Sequence, residues 1–165
     1  GYKKAKSQGE DMETFMQNLR FGSRDHSRTP MQWDASEHAG FTSGNPWLPL
    51  NPNYIDLNTE AELADENSVL NHFKKMTALR KESEVLIYGD YALLLPEHPQ
   101  VYAYTRSLGD EQFLVMLNFS KEKVSVALEE LGNFSELKIN NYSNLIKQAN
   151  ELQLEPYQAV ILGKS

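Results

Sequence analysis

Arg24-Asp25-His26-Ser27-Arg28 sets two guanidinium groups and a carboxylate within five residues, and Thr29-Pro30-Met31-Gln32-Trp33-Asp34 follows directly. A guanidinium is planar and permanently charged, so it can hold a carboxylate and a hydroxyl at once. Read from residue types alone, Arg28 is a loop arginine in a structural ion pair, since most such pairs are structural. His26 beside Asp25 suggests a catalytic dyad, but base and orienting carboxylate usually come from separate parts of a fold. The other histidines, His38, His72 and His98, are scattered and form no metal-ligand spacing. Asp56, Asp65 and Glu66 offer oxygens without the spacing of a calcium loop. No metal and no cofactor is therefore expected. Asn118-Phe119-Ser120 matches the Asn-x-Ser glycosylation pattern, which is cheap by chance and matters only in a eukaryotic secretory setting.

These residues must be positioned by the elements around them. Residues 2 to 20 read as one polar helix with a short stripe at helical spacing formed by Asp11, Met12, Phe15, Met16 and Leu19. Residues 21 to 58 carry Gly22, Gly40, Gly44, four prolines and both tryptophans, with little periodicity. A loop this long in a folded protein is usually functional or wrapped over a partner surface. Residues 66 to 83 form the clearest helix, capped by Asn67 or Ser68, with Val69, Leu70, Phe73, Met76 and Leu79 on its apolar face. Lys74, Lys75, Arg80 and Lys81 crowd its second half, where they suit the helix dipole. From residue 85 the period changes to two. Val85–Tyr88, Tyr91–Leu95, Val101–Arg106, Phe113–Phe119, Val124–Leu128, Leu137–Ile139 and Ala159–Leu162 read as short strands between turn signals. That spacing predicts an antiparallel sandwich.

Composition closes off several function classes. Of 165 residues, 40% are hydrophobic, too many for a disordered chain. Lys plus Arg number 16 against 23 Asp plus Glu, a net charge of −7. A nucleic-acid surface needs a basic patch, so no nucleic-acid partner is expected, and an anionic membrane is equally disfavoured. No apolar run approaches the ~18 residues of a membrane span. Cysteine is absent, which excludes disulfides and thiolate metal sites. No apolar stretch follows the Gly1-Tyr2-Lys3-Lys4 start, and a cytoplasmic setting is the expectation.

The run Ser23 to Asp34 resembles the Arg-Asp-x-x-Arg-Thr-Pro-Met-Gln-Trp pattern of oligo-1,6-glucosidases, dextran glucosidases and trehalose-6-phosphate hydrolases, within glycoside hydrolase family 13. The likeness continues through Ala39-Gly40-Phe41-Thr42, Pro46-Trp47, Asn51-Pro52-Asn53-Tyr54, Asn67-Ser68-Val69 and Leu79-Arg80-Lys81. Then it fades into pattern similarity in the strands. The resemblance implies an α+β piece: the final helices and active-site loop of a (β/α)8 barrel over residues 1–83, then an antiparallel C-terminal β-sandwich over 84–165. It implies the C-terminal portion of a retaining α-glucosidase acting on α-linked gluco-oligosaccharides, with α-1,6 bonds foremost. Retaining hydrolysis needs two carboxyl groups about 5–5.5 Å apart. In the family these sit on barrel strands upstream, and no segment here resembles their motifs. The chain alone is therefore expected to be inactive, with no catalytic residue of its own.

The resemblance makes Arg28 the foremost substrate-binding residue, reaching the glucose unit at the cleavage point and pairing there with an Asp from an early barrel loop. Arg24 and Asp25 join the substrate-binding set as rim residues, or brace the loop against each other, with bracing slightly favoured. The family commonly has Asn where His26 stands, which weighs against a catalytic histidine. Trp33 and Trp47 could stack on sugar faces or anchor the loop in an apolar groove, and anchoring is favoured. Tyr91, Tyr102 and Tyr104 read as sandwich residues. Deprived of a barrel, the apolar N-terminal residues are expected to drive self-association, or to leave the N-terminal third disordered or rearranged. The competing reading is a non-catalytic β-sandwich module that binds carbohydrate or protein. The barrel-type loop and the unpartnered first helix argue against it.

Overall fold

The computed structural model describes the chain except Leu128, Glu130, Ala149 and Ser165, and gives only the backbone of His26. It divides into two units, residues 1–64 and 65–165.

The first unit holds little regular structure. Helix α1, Tyr2–Ser7, and helix α2, Met12–Gly22, replace the single helix expected over residues 2 to 20. The break has two causes. Gly9 takes φ +72°, a left-handed conformation that ends the first helix. Asp11 is not part of the apolar stripe but the cap of α2, accepting from Glu13 N at 3.0 Å and Thr14 Oγ1 at 2.6 Å. The expected loop follows, with short turns at Asp25–Ser27, Glu37–Gly40 and Pro52–Ile55. It ends in α3, Thr59–Ala64, an element that periodicity did not disclose. Buried Asn58 caps it, accepting from Ala61 N at 2.9 Å while its own amide donates to the Tyr54 carbonyl.

The second unit begins with α4, Val69–Glu82, whose N-cap is Ser68 accepting from Asn71 N at 3.1 Å. The next segment corrects the expected strand at Val85–Tyr88: Glu84–Tyr88 is a short helix, α5. The β-branched and aromatic run suggested a strand, but tertiary contacts overrode it. Arg106 reaches from a distant strand to the Val85 and Ile87 carbonyls, at 3.5 and 3.3 Å, and Arg80 donates to the Leu86 carbonyl. The two arginines thus satisfy carbonyls that a last helical turn leaves open.

Among the described residues eight strands follow: β1 Asp90–Leu94, β2 Val101–Leu108, β3 Glu111–Asn118, β4 Val124–Ala127, β5 Phe134–Asn140, β6 Ile146–Gln148, β7 Glu151–Leu154 and β8 Ala159–Lys164. The expected end of the fourth strand at Leu128 lies outside the described residues. One sheet runs β1-β2-β3-β8-β5 and the other β4-β7-β6, every pairing antiparallel. Val101, Ala103, Leu114, Met116, Val160 and Leu162 of the larger sheet pack against Val124, Val126, Leu152 and Leu154 of the smaller, so the sandwich expected from the period-two pattern forms. The opposite face of the larger sheet carries Phe113, Val115 and Ile161, which gather around Val85 of α5 and Leu79 of α4. Residues 113–116 of β3 are therefore buried without a break, as happens when both faces of a sheet are covered.

Candidate functional site

The candidate site is the arm from Arg24 to Thr29 and the root from which it leaves. At the arm, Asp25–Ser27 closes a single turn. The Arg28 N–H donates to the Asp25 carbonyl at 3.0 Å, and Ser27 Oγ donates to the Arg24 carbonyl at 2.7 Å. Arg28 Nη1 lies 3.8 Å from Asp25 Oδ1, with both side chains more than half exposed. An ion pair this open to water contributes little to stability. Its consequence is geometric: it brings Arg28 and Asp25 together at one exposed turn, while Arg24 takes part through its backbone carbonyl. The dyad proposed for His26 concerns a side chain outside the described set.

The root is ordered where the arm is exposed. The Gln32 and Trp33 carbonyls accept from Thr59 N at 2.9 Å and Glu60 N at 3.0 Å, and the Gln32 amide donates to the Leu57 carbonyl. From the other side, Trp33 N–H donates to the Ala39 carbonyl at 2.9 Å. Asp34 accepts from Ser36 N at 2.8 Å and from the Ser36 hydroxyl. That hydroxyl first, and the backbone N–H second, hold the Asp34 carboxyl below its ordinary value. Gln32 and Asp34 were not singled out as site residues in the sequence. The readable signal was a polar residue on either side of Trp33 in a loop that needs backbone partners.

The tryptophans are not buried in this chain. Trp33 is half exposed and Trp47 is 75% exposed, beside Phe21 at 97%. In the second unit, a separate cleft of about 490 Å³ lies between α4 and the outer face of the larger sheet. Tyr91, Tyr102 and Tyr104 line it, with ring centroids 5.2 and 5.4 Å apart. The Tyr91 hydroxyl lies 2.9 Å from that of Tyr102, and this contact is the main cause that pushes Tyr91 up to about 12. Among the described residues no group of three or more His, Cys, Asp or Glu side chains could hold a metal ion, and no helix is long and apolar enough to cross a membrane. Asn118 of the Asn-x-Ser pattern is buried, its amide donating to the Glu122 and Glu155 carbonyls at 2.7 and 2.8 Å.

The family model of the α-amylase catalytic domain matches residues 1–89, more than half of the chain. The chain belongs to the α-amylase family. The model of the maltogenic amylase C-terminal domain matches residues 91–161, which contain all but the first residue of β1 and most of the sandwich. Among curated family members, the oligo-1,6-glucosidase of Parageobacillus thermoglucosidasius is 44% identical over 92% of this chain, which spans 27% of that protein. The trehalose-6-phosphate hydrolase of Escherichia coli strain K12 is 37% identical over 94% of the chain and 28% of its own length. Two solved structures give the same picture. The trehalose-6-phosphate hydrolase of Bacillus licheniformis superposes with a TM-score of 0.85 at 35% identity, over 98% of this chain and 30% of its own. Isomaltulose synthase from Klebsiella sp. LX3 gives 0.83 at 40% identity, over 96% and 29%. The chain thus spans a little under a third of the α-amylase-family proteins it matches, and it corresponds to their C-terminal part.

Proposed function

We propose that this chain is the C-terminal portion of a retaining α-glucosidase that hydrolyses α-glucosidic bonds, α-1,6 bonds above all, in oligosaccharides. The observation that carries the reading is the 44% identity to an oligo-1,6-glucosidase across nearly the whole chain, the Arg24–Asp34 run included. Residues 1–83 then form the end of the catalytic barrel, and 84–165 its C-terminal sandwich domain. The nucleophile and the proton donor come from the rest of the barrel, so the chain by itself binds no scissile bond between two carboxyls.

Within the enzyme, Arg28 is the residue of this chain that meets the sugar. Its fork contacts a hydroxyl of the glucose unit at the cleavage point and pairs with a carboxylate from an earlier barrel loop, while Asp25 and Arg24 form the rim. The exposed turn suits that role, because a guanidinium in a solvated pair is free to exchange partners at little cost. A cytoplasmic setting goes with this reading, since a chain with no cysteine needs no oxidising compartment.

The test is kinetic. Arg28→Ala in the full-length enzyme should leave the fold intact and lower kcat/KM on isomaltose by about two to four orders of magnitude, the equivalent of the roughly 3–5 kcal/mol lost when one partner of a buried pair is removed. Arg28→Lys should recover little, because the planar fork is gone. The purified 165-residue chain should not hydrolyse isomaltose or an aryl α-glucoside above background. Near-normal kinetics for Arg28→Ala would sink the assignment of Arg28. Robust turnover by the chain alone would sink the reading of it as the non-catalytic part.

A further inference from the structure

The root of the arm contains an unusual stretch of backbone. His38, Ala39 and Gly40 take φ values of 55°, 55° and 64° in succession, so three consecutive residues are left-handed and two of them carry a Cβ. Each left-handed residue other than glycine is unfavourable, and such strain persists only where the surroundings over-determine it. Here the surroundings can be named. Ala39 is fully buried and its carbonyl accepts the Trp33 N–H at 2.9 Å. A Cβ at Gly40 would stand 2.5 Å from Asp34 Oδ2 and 2.8 Å from its Cγ, so the Asp34 carboxyl lies directly against the glycine. Asp34 is in turn fixed by the backbone and hydroxyl of Ser36. The result is a closed loop from Trp33 through Asp34, Ser36 and Ala39 back to Trp33.

We infer that Asp34 is a positioning residue for the arm: by seating the left-handed His38–Gly40 turn against Trp33, it fixes the direction in which the chain leaves Met31 toward Arg28. Its carboxylate does not touch the sugar. It acts through the backbone, and its counterpart on the other side is the pair of bonds from Thr59 and Glu60 to the Gln32 and Trp33 carbonyls. Clamped from both sides, Gln32–Asp34 becomes a rigid base only a few residues from the guanidinium, and small displacements of a binding group cost large factors in rate. The assignment rests on the proposed role of Arg28, and the test separates the two.

In the full-length enzyme, four variants are assayed with isomaltose: Asp34→Ala, Asp34→Asn, Arg28→Ala and the double Asp34→Ala/Arg28→Ala. Asp34→Ala, which removes the acceptor for Ser36, should lower kcat/KM about tenfold or more, with the melting temperature tracked alongside. Asp34→Asn keeps an acceptor oxygen in place and should recover most of the activity. The double variant should be no worse than Arg28→Ala alone, because a residue that acts only through Arg28 has nothing left to position. Gly40→Ala, which crowds the same carboxyl from the other side, should reproduce the Asp34→Ala kinetics. This variant supplies the answer if Asp34→Ala fails to fold. If Arg28→Ala is strongly impaired while Asp34→Ala and Gly40→Ala are both silent, or both add their full cost to Arg28→Ala, the positioning role is wrong and the proposed function stands. If Arg28→Ala is itself near normal, both fall together.

Discussion

Gln158 is the best single place to measure what holds the sandwich together. Its side chain is 1% exposed, so it has no recourse to water. The amide oxygen accepts from Glu155 N at 2.8 Å, and the amide nitrogen donates to Asn140 Oδ1 at 2.9 Å and to the Asn144 carbonyl at 3.0 Å. One residue therefore joins the end of β7, the end of β5 and the loop beyond it to the start of β8. Gln158→Leu keeps nearly the same volume, so the cost is polar and creates no large cavity. The three partners do not suffer equally. Asn140 Oδ1 still accepts from Tyr142 N at 3.1 Å, and the Asn144 carbonyl still accepts from Asn140 Nδ2 at 3.1 Å. The Glu155 N–H loses the acceptor described for it.

The magnitude follows from that count. One orphaned donor costs about 1–3 kcal/mol, and each lost bond whose partner keeps another contributes roughly 0.5–1.5 kcal/mol. Burying leucine in place of an amide returns part of this, for a net loss near 2–3 kcal/mol. Urea unfolding followed by circular dichroism should show it as a midpoint lowered by about 0.7–3 M at an m-value near 1–3 kcal/mol/M. Gln148→Leu, on exposed β6, is the control and should stay within about 0.5 kcal/mol. A Gln158→Leu midpoint that coincides with the control would refute the claim that this amide is a structural connector.

Two other outcomes depend on different parts of the chain. A Cβ at Gly89 would lie 2.4 Å from the Val85 carbonyl oxygen and 2.9 Å from that of Ser107, both backbone atoms, so Gly89→Ala should cost about 1–3 kcal/mol and an unchanged melting temperature would contradict it. The isolated chain should associate through its first unit, where Phe21 and Trp47 are largely exposed, and Phe21→Glu with Trp47→Glu should reduce the scattering mass; a parent chain that is monomeric at high concentration would oppose this.

What was legible in the sequence divides along physical lines. The α4 helix and most strands of the sandwich could be read because their own side chains bury on one face, and period alone reports that. The α5 helix could not, since the Arg106 and Arg80 side chains that close its carbonyls arrive from elsewhere. Strands β6 and β7 were missed although Leu152 and Leu154 alternate, because each strand is short and they are separated by only two residues. Helix α3 and the break before α2 were available from Asn58, Gly9 and Asp11, all capping residues that hydrophobic pattern ignores. Arg28 came from the resemblance, and nothing in composition would have ranked it above Arg20. The left-handed turn at His38–Gly40 was not legible, because only Gly40 announces it and the other two residues are held there by Asp34 and Trp33.

The two units differ in what keeps them folded, and that difference bears on function. Among the described residues, the buried apolar side chains of the first unit are Ala5, Pro30 and Ala39, while every other one lies at or beyond Val85. Three side chains this small bury too little area to order a segment of that length against its conformational entropy. The order of the first unit therefore rests on polar bonds around Gln32–Asp34 and Asn58, and its large apolar side chains face outward. Under the proposed function, such a segment is expected to gain stability from the rest of the barrel. The sandwich, by contrast, has a hydrophobic core of its own. On the proposed function, changes in the sandwich are expected to alter stability, and changes in the arm and its root to alter how a sugar is met. The proposed function assigns Arg28 to the arm and the inferred positioning role assigns Asp34 to its root, so both candidate functional residues fall within the first unit.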